Sequence, residues 1–205
     1  MATFTPMPST SVDLASRVKV ASARIEQALF DVLSPRRREH VMGVASYAEW
    51  LAMRFGEDPA RARLAALGHD VAREWDEARI REWALSDGFG ESPLERELPK
   101  LLHGRAAAVV LRDEYHVCDE EVLAAVRSHT LGDTGMTRLQ KVLYCADYLE
   151  PQRAHVESEF RAQVEPLGLD AMLCACVDHN TRRGHEPADP TLAMYRELCG
   201  KEYPG

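Results

Sequence analysis

Apolar residues along this chain recur at intervals of three and four positions, which is the spacing of one face of an α-helix. The clearest runs are Val41, Val44, Ala48 and Leu51, then Val122, Ala125 and Val126, and then Leu139, Val142, Leu143 and Ala146. The one cluster of β-branched residues, Val109-Val110, continues a helical pattern that starts near Leu101. Because no alternating strand pattern is found, the sequence predicts an all-α, single-domain bundle of about eight to ten helices.

Capping signals indicate where several of these helices begin. A side chain that can cap a helix precedes a proline suited to the first helical turn at Ser34-Pro35, Asp58-Pro59 and Asp189-Pro190. Thr137 and Gln140 have the spacing of a capping box. Glycine and proline cluster at residues 88–93, 132–135 and 184–190, which predicts loops in these three places.

Length and charge limit the class of protein. A chain of 205 residues builds one good core, and a net charge of −8 with a pI of about 5.5 argues against a general nucleic-acid binder. No apolar run approaches the roughly 18–20 residues of a membrane span. Residues 1–11 lack the basic and apolar regions of a signal peptide. We therefore expect a flexible tail over residues 1–11 and one domain over residues 12–205, in the cytoplasm, with no membrane or nucleic-acid partner.

The five cysteines agree with that compartment. Their number is odd and no Cys-x-x-Cys spacing occurs, so the sequence predicts buried, reduced thiols and neither a disulfide framework nor a zinc knuckle. The five are Cys118, Cys145, Cys174, Cys176 and Cys199.

Six residues of metal-ligand type give the strongest chemical signal. They are His40, His69, Asp70, His103, His129 and Asp147. Histidine with carboxylate suits borderline divalent metals such as iron, manganese, cobalt or zinc. Six ligands exceed what one metal ion usually takes from protein, so the set fits two ions that share a bridging carboxylate, an arrangement that drives attack on phosphorus. Asp70 is the candidate bridge because a carboxylate has two oxygens.

The helical pattern places these residues on five helices. We expect His40 near the start of a helix over about 35–55, and His69 with Asp70 near the end of one over about 59–72. His103 follows a helix start at about residue 99, His129 ends a helix that begins at Asp119, and Asp147 lies late on a helix from Thr137. Helical bundles commonly build metal sites from inward-facing side chains of this kind.

The ordered residues resemble a known family. The stretches are Arg37-Arg38-Glu39-His40, Gly68-His69-Asp70-Val71-Ala72-Arg73, Leu102-His103-Gly104, Ser128-His129-Thr130, Gly135-Met136 and Ala146-Asp147-Tyr148-Leu149-Glu150-Pro151-Gln152-Arg153. Over residues 37–153 the chain resembles the HD-domain phosphohydrolases and, within them, the YqeK family of symmetrical bis(5'-nucleosyl)-tetraphosphatases. Three positions depart from the family pattern. Gly68 stands where a large aliphatic residue is usual, Arg73 where lysine is usual, and Leu131 where threonine is usual.

The resemblance implies an enzyme, its metals and its substrate. It implies the six residues as metal ligands for two divalent transition metal ions. Iron is favoured, and manganese and cobalt accept the same ligands. It further implies hydrolysis of diadenosine tetraphosphate, a small-molecule dinucleoside polyphosphate, to two ADP by a metal-activated hydroxide.

Several polar residues are candidates for holding the phosphates. Arg37 lies one helical turn before His40, and Arg73 lies one turn after Asp70. We predict Asp70 and Arg73 as the catalytic residues. The predicted substrate contacts are Arg37, Arg73, Arg105, Thr130 and Arg153. The other histidines, His116, His155, His179 and His185, are interpreted as surface or capping residues.

Three alternatives stay open at this point. One is an HD-domain hydrolase of a nucleoside monophosphate, a dNTP or a cyclic dinucleotide, and another is a non-catalytic nucleotide-binding sensor. The third is a structural helical protein whose histidines are incidental. The sequence also leaves open the oligomeric state, including a homodimer, and the residues that bind adenine.

Overall fold

The computed structural model describes residues 10–200 and residue 203, with side chains from residue 14 onward. Within this range the chain forms eleven α-helices, one short 3-10 helix and no strand, which confirms the all-α prediction. The α-helices are α1 Thr10–Val32, α2 Pro35–Phe55, α3 Pro59–Gly68, α4 Glu77–Leu85, α5 Pro93–Glu97, α6 His103–Asp113, α7 Glu120–Ser128, α8 Arg138–Leu149, α9 Ser158–Val164, α10 Leu169–Arg182 and α11 Asp189–Cys199. The 3-10 helix, Pro99–Leu102, runs directly into α6.

The helix count exceeds the predicted eight to ten because two pieces are too short to show a periodic pattern. Helix α5 has five residues and α9 has seven. The predicted tail lies mostly outside the described residues, but its last two positions, 10 and 11, already belong to α1.

Capping explains most helix starts. Ser34 Oγ accepts a hydrogen bond from the Arg37 backbone N–H at 3.3 Å, and Asp58 Oδ1 accepts one from the Ala60 N–H at 2.8 Å. Thr137 and Gln140 form both bonds of the predicted capping box. The prediction for Asp189 was wrong in detail, since it is the first helical residue and Ala188 stands at the cap. At this position the positive end of the helix dipole stabilises the Asp189 carboxylate.

The helices pack around one apolar core. Helix α2 packs against α3 and α8, α6 packs against α4 and α7, and α10 packs against α8 and α11. The largest fully buried side chains include Leu51, Leu64, Leu67, Leu111, Leu139 and Leu143. Buried polar residues are few and concentrate among these helices, where His69, Asp70, His103, His129 and Glu150 lie. None of the described helices is long and apolar enough to cross a membrane.

The cysteines differ from the prediction. Cys174 and Cys199 form a disulfide between α10 and α11, with their Cα atoms 6.2 Å apart, a usual separation for a bridged pair. Cys145 and Cys176 are free and buried as expected, whereas Cys118 is free and exposed. The pairing depends on how two helices meet, which the odd number and spacing of the cysteines do not indicate. The cysteine argument for a reducing compartment therefore does not apply to this pair.

Candidate metal centre

His40 is positioned by the first turns of α2. The helix starts where Ser34 caps it, and Ser34 is held in turn by Glu74, whose carboxylate accepts from both the Ser34 N–H and its hydroxyl at 2.7 Å. This contact ties the start of α2 to the segment just after Asp70. The start of the helix that carries His40 is therefore held against the segment that follows His69 and Asp70, two other candidate ligands.

His69 and Asp70 lie beyond the end of α3. The prediction extended this helix to about residue 72, but it ends at Gly68, and His69 is its C-cap. Residues 69–75 continue as tight turns, with hydrogen bonds from Val71 N–H to Gly68 O and from Arg73 N–H to Asp70 O. The turns carry both side chains inward, and both are almost fully buried.

Gly68 has a packing role that explains its departure from the family pattern. A Cβ at this position would lie 2.6 Å from Leu111 Cδ1 and 2.7 Å from Leu111 Cδ2. Leu111, on α6, is fully buried and has no free space into which to move. The side chain of Leu111 fills the space that a larger residue at position 68 would take.

His103 and His129 come from α6 and α7, which approach closely. His103 is the first residue of α6, and His129 is the C-cap of α7. Gly104 permits the approach, since a Cβ there would lie 2.9 Å from the Val126 carbonyl oxygen and 3.1 Å from His129 Nδ1. Backbone cannot yield as a flexible side chain can, so glycine at 104 brings the two imidazoles together.

Asp147 and Glu150 lie at the end of α8. Asp147 is in the last turn, and Glu150 is the C-cap. The Glu150 carboxylate is buried against α2, and a Cβ at Gly43 would lie 2.6 Å from Glu150 Oε2. Gly43 thus leaves room for Glu150 beside His40.

The six candidate ligands converge on one place, and Asp70 is at its middle. Asp70 Oδ2 faces one half of the cluster and lies 3.9 Å from His40 Nε2 and 3.5 Å from His69 Nε2. Asp147 Oδ1 completes this half, 3.0 Å from His40 Nε2 and 3.6 Å from His69 Nε2. One ligand atom from each of His40, His69 and Asp147 lies within 4.8 Å of the other two in this half.

The second half of the cluster faces the other oxygen of Asp70. His103 Nε2 lies 3.2 Å from Asp70 Oδ1, and His129 Nε2 lies 3.9 Å from the same oxygen. The two histidine Nε2 atoms are 3.1 Å apart. Asp70 therefore has one oxygen toward each half, as a carboxylate shared by two ions requires.

Each histidine is oriented through its other ring nitrogen. Nδ1 of His69 lies 2.6 Å from Ala66 O, Nδ1 of His103 lies 2.7 Å from Lys100 O, and Nδ1 of His129 lies 2.7 Å from Val126 O. His40 Nδ1 lies 3.1 Å from Glu150 Oε1 instead. All four partners are acceptors, so Nδ1 carries the proton and Nε2 presents a lone pair to the cluster. This is the usual outer-shell arrangement of metal-binding histidines.

Two observations test whether a cation fits here. His69 Nε2 is fully buried and has no hydrogen-bond partner, although an orphaned buried nitrogen is costly. The Nε2 atoms of His103 and His129 point their lone pairs at each other, and two lone pairs repel. A cation bound between or beside them would stabilise this arrangement. The residues present therefore fit divalent metal ions, with histidine and carboxylate as the donors.

The electrostatics of the cluster agree with that fit. Burial opposes ionisation of Asp70, but His69 and His103 outweigh it and hold its pKa well below the usual range. Burial, together with the charges of His103 and His69, lowers the pKa of His129 to about 3, so its ring is neutral and able to ligate. Burial also disfavours a charged His69, yet the Asp70 and Asp147 carboxylates outweigh burial and raise its pKa. The carboxylates thus favour a positive charge at this place.

Arg37 and Arg153 lie at the cluster, and their contact with substrate stays a prediction. Arg37 Nη1 donates to Asp70 Oδ2 at 2.9 Å. Arg153 Nη2 donates to Asp147 Oδ1 and lies 3.2 Å from His40 Nε2, while its Nε donates to the Asp147 carbonyl. Each guanidinium neutralises a carboxylate that a metal ion would otherwise hold.

Arg105 does not lie in the site, contrary to the prediction that it contacts substrate. All five of its N–H donors are engaged: Nε and Nη2 bind Asp87 at 2.8 Å, Nη1 binds Glu95 and the Gly90 carbonyl, and Nη2 also binds the Phe89 carbonyl. Its side chain is nearly buried and holds the segment between α4 and α5 in place. The sequence shows a basic residue two positions after a histidine and cannot show which carboxylates surround it.

Thr130 and Arg73 have different surroundings. Thr130 Oγ1 lies 3.2 Å from His129 Nε2 and 3.5 Å from His103 Nε2, so its hydroxyl touches the second half of the cluster. The Arg73 side chain is half-buried in the turns after Asp70 and makes no hydrogen bond or ion pair with any described residue.

A cavity of about 590 Å³ opens beside His40. We call it the arginine cavity, since its lining includes Arg36, Arg37 and Arg153 together with His40, Glu150 and His155.

His155 was interpreted as a surface or capping residue, but it is half-buried in the lining of the arginine cavity. His179 also differs from the prediction. It is buried and stacks on Phe160, and its Nδ1 lies 2.8 Å from the Tyr148 hydroxyl oxygen. His116 and His185 are exposed as expected.

Sequence reasoning missed the residues that support the ligands. Glu150 was noted only as part of a motif, whereas its side chain orients His40 and accepts a hydrogen bond from the Gln152 N–H at 2.8 Å. Gly104 was noted as part of a motif, but neither Gly104 nor Gly43 was predicted as a place of close approach. Both glycines lie within three residues of a motif histidine, His40 or His103, and this closeness in sequence could have indicated their role.

Known proteins resemble the chain over the same region. The HD domain profile matches residues 37–152, more than half of the chain. A protein of Bacillus subtilis (strain 168) named symmetrical bis(5'-nucleosyl)-tetraphosphatase is 38% identical over 122 residues, which cover 60% of this chain and 65% of that protein, just under two thirds. A protein of the same name from Halalkalibacterium halodurans is 33% identical over 170 residues, which cover 81% of this chain and 90% of that protein.

A solved structure has the same fold. It is the crystal structure of a predicted HD superfamily hydrolase involved in NAD metabolism from Clostridium acetobutylicum. It aligns with a TM-score of 0.79 at 28% sequence identity, covering 87% of this chain and 96% of that chain.

Proposed function

This chain belongs to the HD domain family, and we propose that it is a metal-dependent phosphoric anhydride hydrolase that cleaves diadenosine tetraphosphate symmetrically into two molecules of ADP. One observation carries the proposal, namely that six side chains of ligand type converge with Asp70 at the middle of the cluster. The relatives named symmetrical bis(5'-nucleosyl)-tetraphosphatase, at 33% and 38% identity, support the choice of substrate.

We propose two divalent ions at the centre. His40, His69 and Asp147 would hold one ion, His103 and His129 the other, and Asp70 both. Iron suits four histidines with two carboxylates, and manganese and cobalt accept the same donors. When bound, such a pair acts as a Lewis acid on phosphoryl oxygen and lowers the pKa of water toward neutrality.

The arginines of the chain have a role that follows from their present partners. Arg37 and Arg153 now donate to Asp70 and Asp147. Once cations hold these carboxylates, the two guanidinium groups are available to a phosphate chain, and their forked donors suit it. The arginine cavity leads from these side chains to solvent, so it gives a polyphosphate a route to the cluster.

Two further side chains are proposed to contact the phosphates. The Thr130 hydroxyl lies beside His103 and His129, from which it can donate to an oxygen held in that half of the cluster. Arg73 stands on the turns that follow Asp70 and has no partner among the described residues, so its charge is available to substrate. The leaving group is ADP. The arginines and the bound metal ions would neutralise its terminal phosphate, so a strong general acid is not required.

The experiment is a product analysis. The protein is incubated with diadenosine tetraphosphate and a divalent transition metal, and the nucleotides are separated over time. We expect ADP as the only nucleotide product. Equal amounts of ATP and AMP would mean asymmetric attack and would contradict the proposal.

A substrate panel run beside it separates this reaction from related ones. Nucleoside monophosphates, dNTPs and cyclic dinucleotides should be cleaved far more slowly than diadenosine tetraphosphate. Preferred cleavage of any of these would assign the metal centre to a different HD-domain reaction. Metal binding with no cleavage of any nucleotide would indicate a sensor.

A further inference from the structure

A second cavity lies next to the other half of the ligand cluster, with Thr130 between them. Its volume is about 270 Å³, and it lies between the segment around Leu98 and helices α10 and α11. We call it the leucine cavity, since its lining includes Leu94, Leu98, Leu101, Leu131, Tyr144 and Asn180. Thr130 also lines it, and the Thr130 hydroxyl is 3.2 Å from His129 Nε2. The leucine cavity therefore borders the His103–His129 half through Thr130, whereas His40 itself lines the arginine cavity.

The two cavities differ in chemistry. The arginine cavity has three arginines and three glutamates in its lining, whereas no lysine or arginine is found among the described residues that line the leucine cavity. A phosphate chain carries several negative charges and would be poorly stabilised where many lining residues are apolar and the acidic and basic side chains are Glu186 and His185. The leucine cavity instead suits an uncharged group with apolar faces and a few polar edges.

Its size and rim point to a single nucleoside. At about 270 Å³ the cavity is slightly smaller than the usual small-ligand pockets of roughly 300 to 1,000 Å³, so it can hold part of a dinucleotide and not the whole. Leu98 on its lining is 53% exposed and offers an apolar surface on which a flat ring can pack. A dinucleoside polyphosphate whose middle lies at the metal ions would bring one nucleoside to this side.

The polar groups of the cavity indicate which base. The hydroxyls of Thr181 and Thr191 are already used, since they donate to the carbonyls of Val177 and Leu131. The side-chain amide of Asn180 is half-buried in the lining and makes no hydrogen bond with any described residue. An amide offers one donor and one acceptor side by side, which matches the edge of adenine that presents N6–H₂ and N7. Guanine presents two acceptors, O6 and N7, on the corresponding edge.

We propose that the leucine cavity holds the adenosine of one ADP half and that Asn180 distinguishes adenine from guanine. This rests on the proposed function for the substrate class, and it adds the location and the reading residue of the base. Asn180 is thus a specificity-determining residue that touches the base, while the phosphates lie toward the metal ions and the arginines.

The test compares ADP with GDP by calorimetric binding to the full-length protein loaded with Mn²⁺. The parent should bind ADP at least about tenfold more tightly, because one two-point base contact gives discrimination of this order. Asn180→Ala should remove most of that preference, because it removes both the donor and the acceptor that face N7 and N6–H₂. Gln163→Ala removes an exposed amide on α9 and is the matched control, which should keep the preference of the parent.

A second variant covers the case in which changes at position 180 disturb folding. Leu98 is exposed, so Leu98→Ser should fold normally, weaken ADP binding several-fold and leave pyrophosphate binding unchanged. An Asn180→Ala protein with the ADP preference of the parent, or equal loss of ADP and pyrophosphate binding in Leu98→Ser, would overturn the proposal. A parent that binds ADP and GDP equally would overturn it as well.

Turnover of diadenosine tetraphosphate, measured on the same samples, distinguishes failure of the adenosine site from failure of the proposed function. If the parent prefers ADP through Asn180 yet does not cleave diadenosine tetraphosphate, the adenosine site is supported and the proposed function fails. If the parent releases ADP while Asn180→Ala keeps the preference of the parent, the function is supported and the adenosine site fails.

Discussion

At the scale of single residues, three histidines share one local device. His69, His103 and His129 each place Nδ1 against the carbonyl three residues earlier in the chain, so each ring is fixed by its own helix end. The identity and order of the candidate ligand residues could be read from the sequence, because local motifs carry them, and their role as ligands stays a prediction. The orientation of His40 could not, since its partner Glu150 lies 110 residues away.

The buried His69–Asp70 pair predicts how metal content responds to substitution. His69→Ala or Asp70→Asn should strip most of the bound transition metal, because each removes a donor that the neighbouring ligands cannot replace. The helical circular dichroism signal should remain, since both residues follow α3 and lie outside its hydrogen-bonded turns. Metal is measured by elemental analysis, with the exposed His185→Ala as control. Metal content equal to the parent in both variants would rule out this assignment.

Arg73 provides a test of phosphate contact that is separate from metal binding. Arg73→Ala should keep its metal and lose activity by roughly 10²–10³-fold, which corresponds to about 2–4 kcal/mol for one lost contact to developing charge. Arg73→Lys should regain part of the rate because a point charge remains. The exposed Arg112, paired with Asp113, gives the control Arg112→Ala. Turnover of Arg73→Ala at the rate of the parent would show that Arg37 and Arg153 suffice.

At the scale of helices, starts were predicted better than ends. Capping side chains mark the starts of α2, α3 and α8, and the structure has all three. The end of α3 was placed about four residues late, because the turns after Gly68 keep an apolar pattern while their hydrogen bonds tighten. Close helix approach could not be predicted at all, since it depends on what lies opposite each glycine.

Gly104 tests that close approach. Gly104→Ala should push α6 and α7 apart, because its Cβ would lie 2.9 Å from the Val126 carbonyl oxygen. We expect a loss of stability of about 1–3 kcal/mol by overpacking and weaker metal binding at the His103–His129 half. Thermal unfolding and metal titration measure the two effects. Gly90→Ala, where a Cβ meets nothing within 4 Å, is the control, and equal behaviour of both variants would contradict the account.

Arg105 predicts an effect on stability that depends on pH. Arg105→Ala leaves the nearly buried Asp87 carboxylate unpaired and should cost about 3–5 kcal/mol, with the activity of the folded fraction retained. Burial opposes ionisation of Glu95, but the Ser92 N–H and the Arg105 guanidinium outweigh it and lower its pKa below 4.5. The contribution of Glu95 is therefore present above pH 4.5 and is lost as pH falls through the lowered pKa.

Denaturant unfolding of the parent and the Arg105→Ala variant between pH 7 and pH 3 measures this dependence. The difference in unfolding free energy should be largest near neutrality and should shrink on acidification. A difference that grows as the pH falls would show that the ion pair is not its source.

At the scale of the whole molecule, the sequence predicted that five separate helical segments meet, and the structure brings all six ligand-type side chains together. The ordered motif made this possible, because it fixes which residues must converge even when no contact is known. Arg105, the Cys174–Cys199 disulfide and the leucine cavity could not be predicted in the same way. Each depends on surfaces formed only when α10, α11 and the loops have packed.

The central claim is that this cluster is a metal centre that hydrolyses a dinucleoside polyphosphate. The most direct measurement removes metal with a chelator, adds it back in steps, and follows ADP release from diadenosine tetraphosphate against metal bound per chain. The account predicts no ADP from the stripped protein and a rate that rises with bound metal until about two ions per chain are held. Full turnover by the stripped protein, or metal binding that restores no ADP release, would contradict it.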